Sequence, residues 1–274
     1  MKALILFLGA ALTACQADTT KLNEKIDKLD KKLDAIIAQG GRPGAAAGQQ
    51  RPQRPEPDRS KTYAVSVEND FSDGPADAKI TVVKAYEYAC PYCQRVIPTM
   101  EQLKEKYGAD IRIVSKHLVV HPTTATSTAL GFCAGMKQGK AKEMDKLLWE
   151  KSFTGRKFDP DKCWESAEGC PQLNSYAQEL QLDLNKFKAD LKACMPIVQQ
   201  DMRDLQKFGV GATPSFFING RFISGAVPID QFVTVIDEEL KKANERIQQG
   251  TPKAQYYQQW VIDKGLKSLE PPKQ

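Results

Sequence analysis

Residues 79–93, KITVVKAYEYACPYC, constrain the fold more than any other stretch of the chain. The β-branched and aromatic run from Lys79 to Tyr88 reads as a strand, and it stops at Cys90-Pro91-Tyr92-Cys93. Val96, Met100, Leu103 and Tyr107 then recur at helical spacing up to Gly108, a residue suited to closing a helix. Two thiols therefore sit where a strand passes into a helix. At a helix N-terminus the unpaired N–H groups and the dipole favour a negative sulfur. Pro91 suits the first helical position because it has no N–H to leave unpaired. Two intervening residues place Cys93 one turn further on, in reach of Cys90 yet shielded. Cys90 reads as the attacking thiolate and Cys93 as the resolving thiol, with a redox-active Cys90–Cys93 disulfide in the oxidised state. A zinc knuckle would need a second pair of ligands, and the only histidines are His117 and His121, so neither a metal nor a cofactor is expected.

The surrounding pattern is α/β. Tyr63 to Val67 alternates as a strand, Asp73-Gly74-Pro75 is a turn, and Ile111 to Val114 is a further strand. Residues 123–208 read as mostly helical, with turns around 154–162 and 168–172. A strand returns at Ser215 to Ile218, followed by the hairpin signal Asn219-Gly220 and by Arg221-Phe222-Ile223. A helix follows from Ile229 to Ile247. Trp149, Phe153, Phe208, Phe216 and Phe217 read as core or cleft lining. Tyr256, Tyr257, Trp260 and Leu266 mark an extra C-terminal helix that docks on the domain. With 274 residues, 41% of them hydrophobic, one core-bearing domain of roughly 150–200 residues is expected. The 39 basic and 34 acidic side chains leave a net charge of only +5, too mixed for a nucleic-acid binder.

The stretches PADAKITVVKAYEYACPYC, GFCAGMKQGKAKEMDKLLWE and GVGATPSFFINGRFISGA resemble the thioredoxin superfamily, and more closely its DsbA-like thiol–disulfide oxidoreductases. The resemblance covers about residues 63–240. It implies a thioredoxin fold with a large inserted helical domain, placed here at about 122–208 within a domain spanning 61–250, with a C-terminal extension over 251–274. In this superfamily a cis proline faces the disulfide, and Pro214 in Ala212-Thr213-Pro214-Ser215 matches it. The resemblance thus assigns substrate contact to Pro91, Tyr92, Thr213 and Pro214. Cys-Pro-Tyr-Cys also looks like a glutaredoxin site, but 121 positions separate Cys93 from Pro214, far too many for that family.

Two departures bear on tuning. Lys84 stands where the family has a buried acid, and a cation there would favour thiolate; alternatively only its stem is buried. Glu87 is the nearest candidate for the missing acid, although strand alternation points it to the opposite face from Lys84. Tyr92 stands where the strongest oxidants of the family have His, so it supplies no positive charge.

Seven cysteines are present. The resemblance maps structural disulfides onto Cys133–Cys194 and Cys163–Cys170; the rival pairing is Cys133–Cys163 with Cys170–Cys194. Such disulfides belong outside a reducing cytosol. The seventh, Cys15, ends Leu12-Thr13-Ala14-Cys15 behind an apolar run, which resembles a bacterial lipobox. Residues 1–14 would be the signal peptide and 15–20 the lipidated start, with Cys15 in the bilayer; the plainer reading is an ordinary signal peptide with a chance cysteine. Gln16 rather than Asp after the cysteine favours the outer membrane. Leu22, Ile26, Leu29, Leu33 and Ile36 form a heptad seam over 21–38, a stalk joining two or three copies or a lone amphipathic helix. Residues 39–60, rich in Pro and Gly, read as a linker.

The expected activity is a cell-envelope oxidoreductase facing the periplasm, forming disulfides in unfolded or reduced exported proteins, with a membrane redox partner that restores the site. A stalk-assembled isomerase or reductase is the alternative, and a non-catalytic binding lipoprotein a third reading.

Overall fold

The computed structural model describes residues 16–38 and 56–269. Cys15, the signal segment, most of the linker and the last five residues lie outside the described residues. The chain divides into two units, one holding the N-terminal helix and the other everything from residue 54 onward. Helix α1 spans Gln16–Ala38, and Leu22, Ile26 and Leu29 are exposed along it. The side chains of Leu33 and Ile36 are outside the description.

The second unit is built on a mixed sheet. Strand β1 is Phe71–Asp73, β2 Ile80–Tyr86, β3 Ile111–His117, β4 Ser215–Ile218 and β5 Arg221–Ser224. Their order is β1-β3-β2-β4-β5, with β2 and β3 parallel and the other pairs antiparallel. A parallel pair needs a crossover, and helices α2 (Pro91–Arg95) and α3 (Ile97–Tyr107) supply it. The helix expected as one piece breaks at Val96, because Pro98 has no N–H to carry the ladder across. Gly108 ends it with φ 52°, a left-handed value that glycine adopts without strain.

Alternation along β2 decides what lies on each side of the sheet. Ile80 and Val82 pack with Val96, Met100 and Leu103 of the crossover and with Phe232 and Ile236 of α9 (Ile229–Gln248). Val83 and Ala85 pack on the other face with Tyr63, Leu205, Phe208 and Phe217. Between β3 and β4 the chain makes a helical block: α4 Pro122–Lys137, α5 Ala141–Leu147, a π-helical turn Leu148–Thr154, α6 Pro171–Glu179, α7 Leu184–Ala193 and α8 Met195–Gln206. Tyr86, Tyr88, Cys90 and Cys93 run into the core of this block beside Leu130, Phe132 and Trp149. Gly131 and Gly135 let α4 pack closely: a Cβ there would come within 2.6 Å of Leu173 and 2.8 Å of Met144.

Two disulfides lock the block. Cys133 on α4 joins Cys194 between α7 and α8, and Cys163 joins Cys170. Their separations of 61 and 7 residues correspond to about 4 and about 2 kcal/mol of loop-closure stabilisation.

The strand expected at Tyr63 to Val67 is instead a single parallel bridge between Tyr63 and Leu266. Ala64 N–H donates to Leu266 C=O, Leu266 N–H to Thr62 C=O, and Val65 N–H turns back to Tyr63 C=O, so no ladder can propagate. The edge position goes to Phe71–Asp73, against β3. The C-terminal segment is a 3-10 turn Lys253–Gln255 and a π-helical turn Tyr257–Ile262 rather than one helix. It docks through Tyr257, whose hydroxyl donates to Val65 C=O at 2.8 Å.

Candidate active site

Cys90, four residues past the end of β2, is extended and caps α2, its Sγ accepting the Cys93 N–H at 3.4 Å. Pro91 occupies the start of that helix. Across 123 positions of sequence, the Cys90 thiol donates to the Thr213 carbonyl at 3.3 Å. The Thr213–Pro214 bond is cis. The turn behind it is held by Ser215 Oγ donating to Ala212 C=O and by Gly225 N–H donating to Pro214 C=O. The pair and the proline, remote in sequence, thus form one site.

Both cysteines are free thiols, 4% and 2% exposed. Their environments push them apart. The hydrogen bond with Cys93 leads in drawing the Cys90 pKa down to about 6, aided by Thr213 and by the Cys93 and Tyr92 N–H groups against the opposing effect of burial. Cys93 is raised, by its hydrogen bond to Cys90 and then by burial. Near neutral pH one thiolate and one thiol face each other, the division of labour that exchange requires.

Tyr92 is 53% exposed, its ring under the Arg95 guanidinium at 4.9 Å. Gln94 Nε2 donates to Thr154 Oγ1 at 2.9 Å, tying α2 to the helical block.

Lys84 does not turn out to solvent on the far face. It lies on the side of β2 that carries Ile80 and Val82, with its ammonium 4.2 Å from the Tyr86 ring centroid. It lines a cavity of about 320 Å³ with Val96, Ser115 and Asp145. The main influences on Cys90 are hydrogen bonds and burial, not the Lys84 charge.

Glu87 stands just beyond the end of β2, so strand alternation does not govern it. Its fully buried carboxylate accepts the Val120 and His121 N–H groups at 2.7 and 2.9 Å and pairs with the His121 imidazole.

Sequence reading missed a buried tyrosine pair. The Tyr86 and Tyr88 hydroxyls are 3.1 Å apart, and Tyr88 donates to Asp145 at 2.6 Å. The alternation of Tyr86 and Tyr88 just before Cys90 was the available signal, but Asp145 lies 55 residues beyond Cys90 on another helix. His117, packed 4.9 Å from Tyr86, is a core residue whose pKa burial pulls down to about 4.

A family profile described as Thioredoxin matches residues 66–238. The chain belongs to the thioredoxin family. Among solved structures, alpha-DsbA1 from Wolbachia pipientis superposes with a TM-score of 0.55 at 20% identity, covering 67% of this chain and 96% of that one. Oxidised BdbD from Bacillus subtilis gives 0.52 at 19%, covering 68% and 100%. The fold is thus the thioredoxin fold in its DsbA-like form, with the helical domain inserted before the cis proline. Such a fold carrying a Cys-Pro-Tyr-Cys pair supports thiol–disulfide exchange.

Curated sequence relatives of this thioredoxin-family chain are Na⁺/H⁺ antiporters. NhaA of Herminiimonas arsenicoxydans is 29% identical over 175 residues, and NhaA 3 of Salinispora tropica 32% over 193. The matches cover 63% and 68% of this chain but only 26% and 27% of those proteins. The chain therefore spans about a quarter of the length of these relatives. Among the described residues, no helix is long and apolar enough to cross a membrane.

Proposed function

We propose that the Cys90–Cys93 pair exchanges disulfides with cysteine-bearing polypeptides outside the cytoplasm, in the direction of disulfide formation. The observation that carries this reading is the Cys90 thiol lying 3.3 Å from the Thr213 carbonyl beside a cis proline. In the oxidised enzyme a substrate thiolate attacks Cys90 sulfur, and Cys93 leaves with the electron pair and takes a proton. A second substrate thiolate attacks the mixed disulfide, releasing Cys90 as thiolate and the substrate as disulfide. The dithiol then needs an oxidant, assigned here to a membrane redox partner. Two disulfides in the helical block support an oxidising compartment. Lipidation at Cys15, with outer-membrane residence, remains part of this proposal, supported by the lipobox-like Leu12 to Cys15.

The deciding measurement is the reduction potential together with thiolate absorbance against pH. The Cys90 titration midpoint is expected at about 6. Thioredoxin (~−270 mV) and DsbA (~−120 mV) bracket the scale, and a potential on the DsbA side supports disulfide formation while one near thioredoxin supports reduction. A midpoint above pH 8, or a pair that does not equilibrate with glutathione, would sink the reading.

One observation favours the isomerase alternative: Leu22, Ile26 and Leu29 are exposed on α1, a seam that a second copy would cover. Sedimentation of the full chain checks it. Wild type should run as an oligomer, and Leu22→Lys with Leu29→Lys as a monomer with unchanged glutathione exchange; a monomeric wild type would remove this alternative.

A further inference from the structure

Glu87 bonds at both of its ends. Its main-chain carbonyl accepts the Cys90 N–H at 3.4 Å, which ties its backbone to the redox pair. Its carboxylate has no exposed surface. One oxygen, Oε2, takes both the Val120 N–H at 2.7 Å and the His121 N–H at 2.9 Å, and Oε1 meets His121 Nδ1. A buried carboxylate is tolerable only while donors solvate it, so this side chain cannot move without leaving a charge unpaired. The main chain of residue 87 is fixed with it.

The two loops that Glu87 joins also carry the exposed apolar surface of this unit. Among its described residues, the large hydrophobics left exposed are Tyr92, in the turn between the cysteines, and Val120, at 53% and 42%. Oxidation acts on one end of the link: the Cys90 thiolate becomes a neutral sulfur bonded to Cys93 at about 2.05 Å, next to the main chain that Glu87 holds. The other end is the Val120–His121 backbone.

We infer that Glu87 is the positioning residue of the redox pair, and that it couples the oxidation state of the Cys90–Cys93 pair to the Val120–His121 loop beside the site. The inference rests on the redox reading above. Glu87 touches no reacting electron pair; it acts through the two loops it holds.

The chemistry of the carboxylate dictates the test. In Glu87→Gln the amide oxygen can still accept both loop N–H groups, and the amide nitrogen can donate to His121 Nδ1. In Glu87→Ala both N–H groups lose their acceptor. The dithiol–disulfide equilibrium constant against glutathione is measured for each, with folding monitored by circular dichroism. Glu87→Gln should stay within roughly two-fold of wild type, and Glu87→Ala should shift by about ten-fold or more, a size that one or two lost hydrogen bonds supply. In the wild-type protein, the amide resonances of Val120 and His121 should move between dithiol and disulfide forms. That comparison decides the matter should Glu87→Ala fail to fold. A folded Glu87→Ala within roughly two-fold of wild type, or unmoved Val120 and His121 amides, would overturn the inference. A wild-type pair that never exchanges with glutathione would instead remove the redox reading, and this inference with it.

Discussion

Cys90→Ser should lose turnover in both insulin reduction and the oxidation of a reduced test protein, on the order of a thousand-fold or more. The reason is positional as well as chemical. Cys90 is the thiol whose charge the helix start and Cys93 stabilise, and it stands against the Thr213 carbonyl and the cis bond. A serine hydroxyl has no accessible anion near neutral pH. Cys93→Ser should behave differently, because the first nucleophilic step does not need the second sulfur. Given a small disulfide as substrate, the Cys93→Ser variant should accumulate a mixed disulfide on Cys90, visible as an adduct mass, while overall turnover falls. Retained turnover in Cys90→Ser, or an adduct on Cys93 of the wild type in its place, would contradict the assignment.

The second large effect concerns stability. Lys116 is 2% exposed, and its ammonium meets Asp70 at 2.7 Å, Asp201 at 3.0 Å and Asp204 at 3.7 Å. Asp201 also accepts the His117 N–H at 3.0 Å, which binds α8 to the end of β3. Lys207 also meets Asp204, at 2.8 Å, but Lys116→Met removes the buried cation and leaves Asp70 and Asp201 without it. A loss of about 3–5 kcal/mol is expected, with Tm falling on the order of 10 °C for a domain of this size.

The pH dependence has a definite sign. Burial, then the Asp201 charge, pushes Asp70 up to about 7 from an ordinary value of 3.8. A carboxyl group raised in the folded state binds its proton more tightly there than in the unfolded chain. Its contribution to stability is present at low pH and lost as pH rises past about 7. The damage in Lys116→Met should therefore be larger at pH 8 than at pH 5. His117 works the other way: its pKa is depressed, so wild-type stability falls as pH drops from 6.5 towards 4. Comparing variant with wild type at each pH removes most of that contribution. Thermal melts at the two pH values check both statements, and a variant within about 1 kcal/mol of wild type would show that the cluster is not held by Lys116.

Much of the site is legible locally because its chemistry is local. Cys90, Pro91 and Cys93 occupy the helix start that the strand-to-helix change in pattern marks, and thiolate stabilisation follows from that position alone. Pro214 needed the family resemblance, since nothing in composition or periodicity says that residue 213 returns to residue 90. Tyr63 to Val67 has the alternation of a strand and the burial to match, yet forms an isolated bridge, with Tyr63 N–H going to Gly220 C=O instead of a ladder. Partner choice there depends on Leu266, some two hundred positions away. Glu87 was read by strand alternation, which ceased to apply one residue earlier, and its real partners are main-chain N–H groups that no side-chain pattern announces. Lys116 was invisible for a similar reason. A lone lysine in a strand reads as solvated until three carboxylates from two other segments converge on it.

The bridge between Tyr63 and Leu266 has a mechanical meaning. The segment entering the sheet from the N-terminal side is clasped by the segment that leaves it, through Ala64, Thr62 and Tyr257 as well. Leu269 N–H donates to Lys207 C=O, which fastens the departing strap to the end of α8. Tension arriving along residue 62 is therefore shared in shear by two chain segments before it reaches β2, so the strand that presents the sulfur pair is insulated from tugging on its own leader.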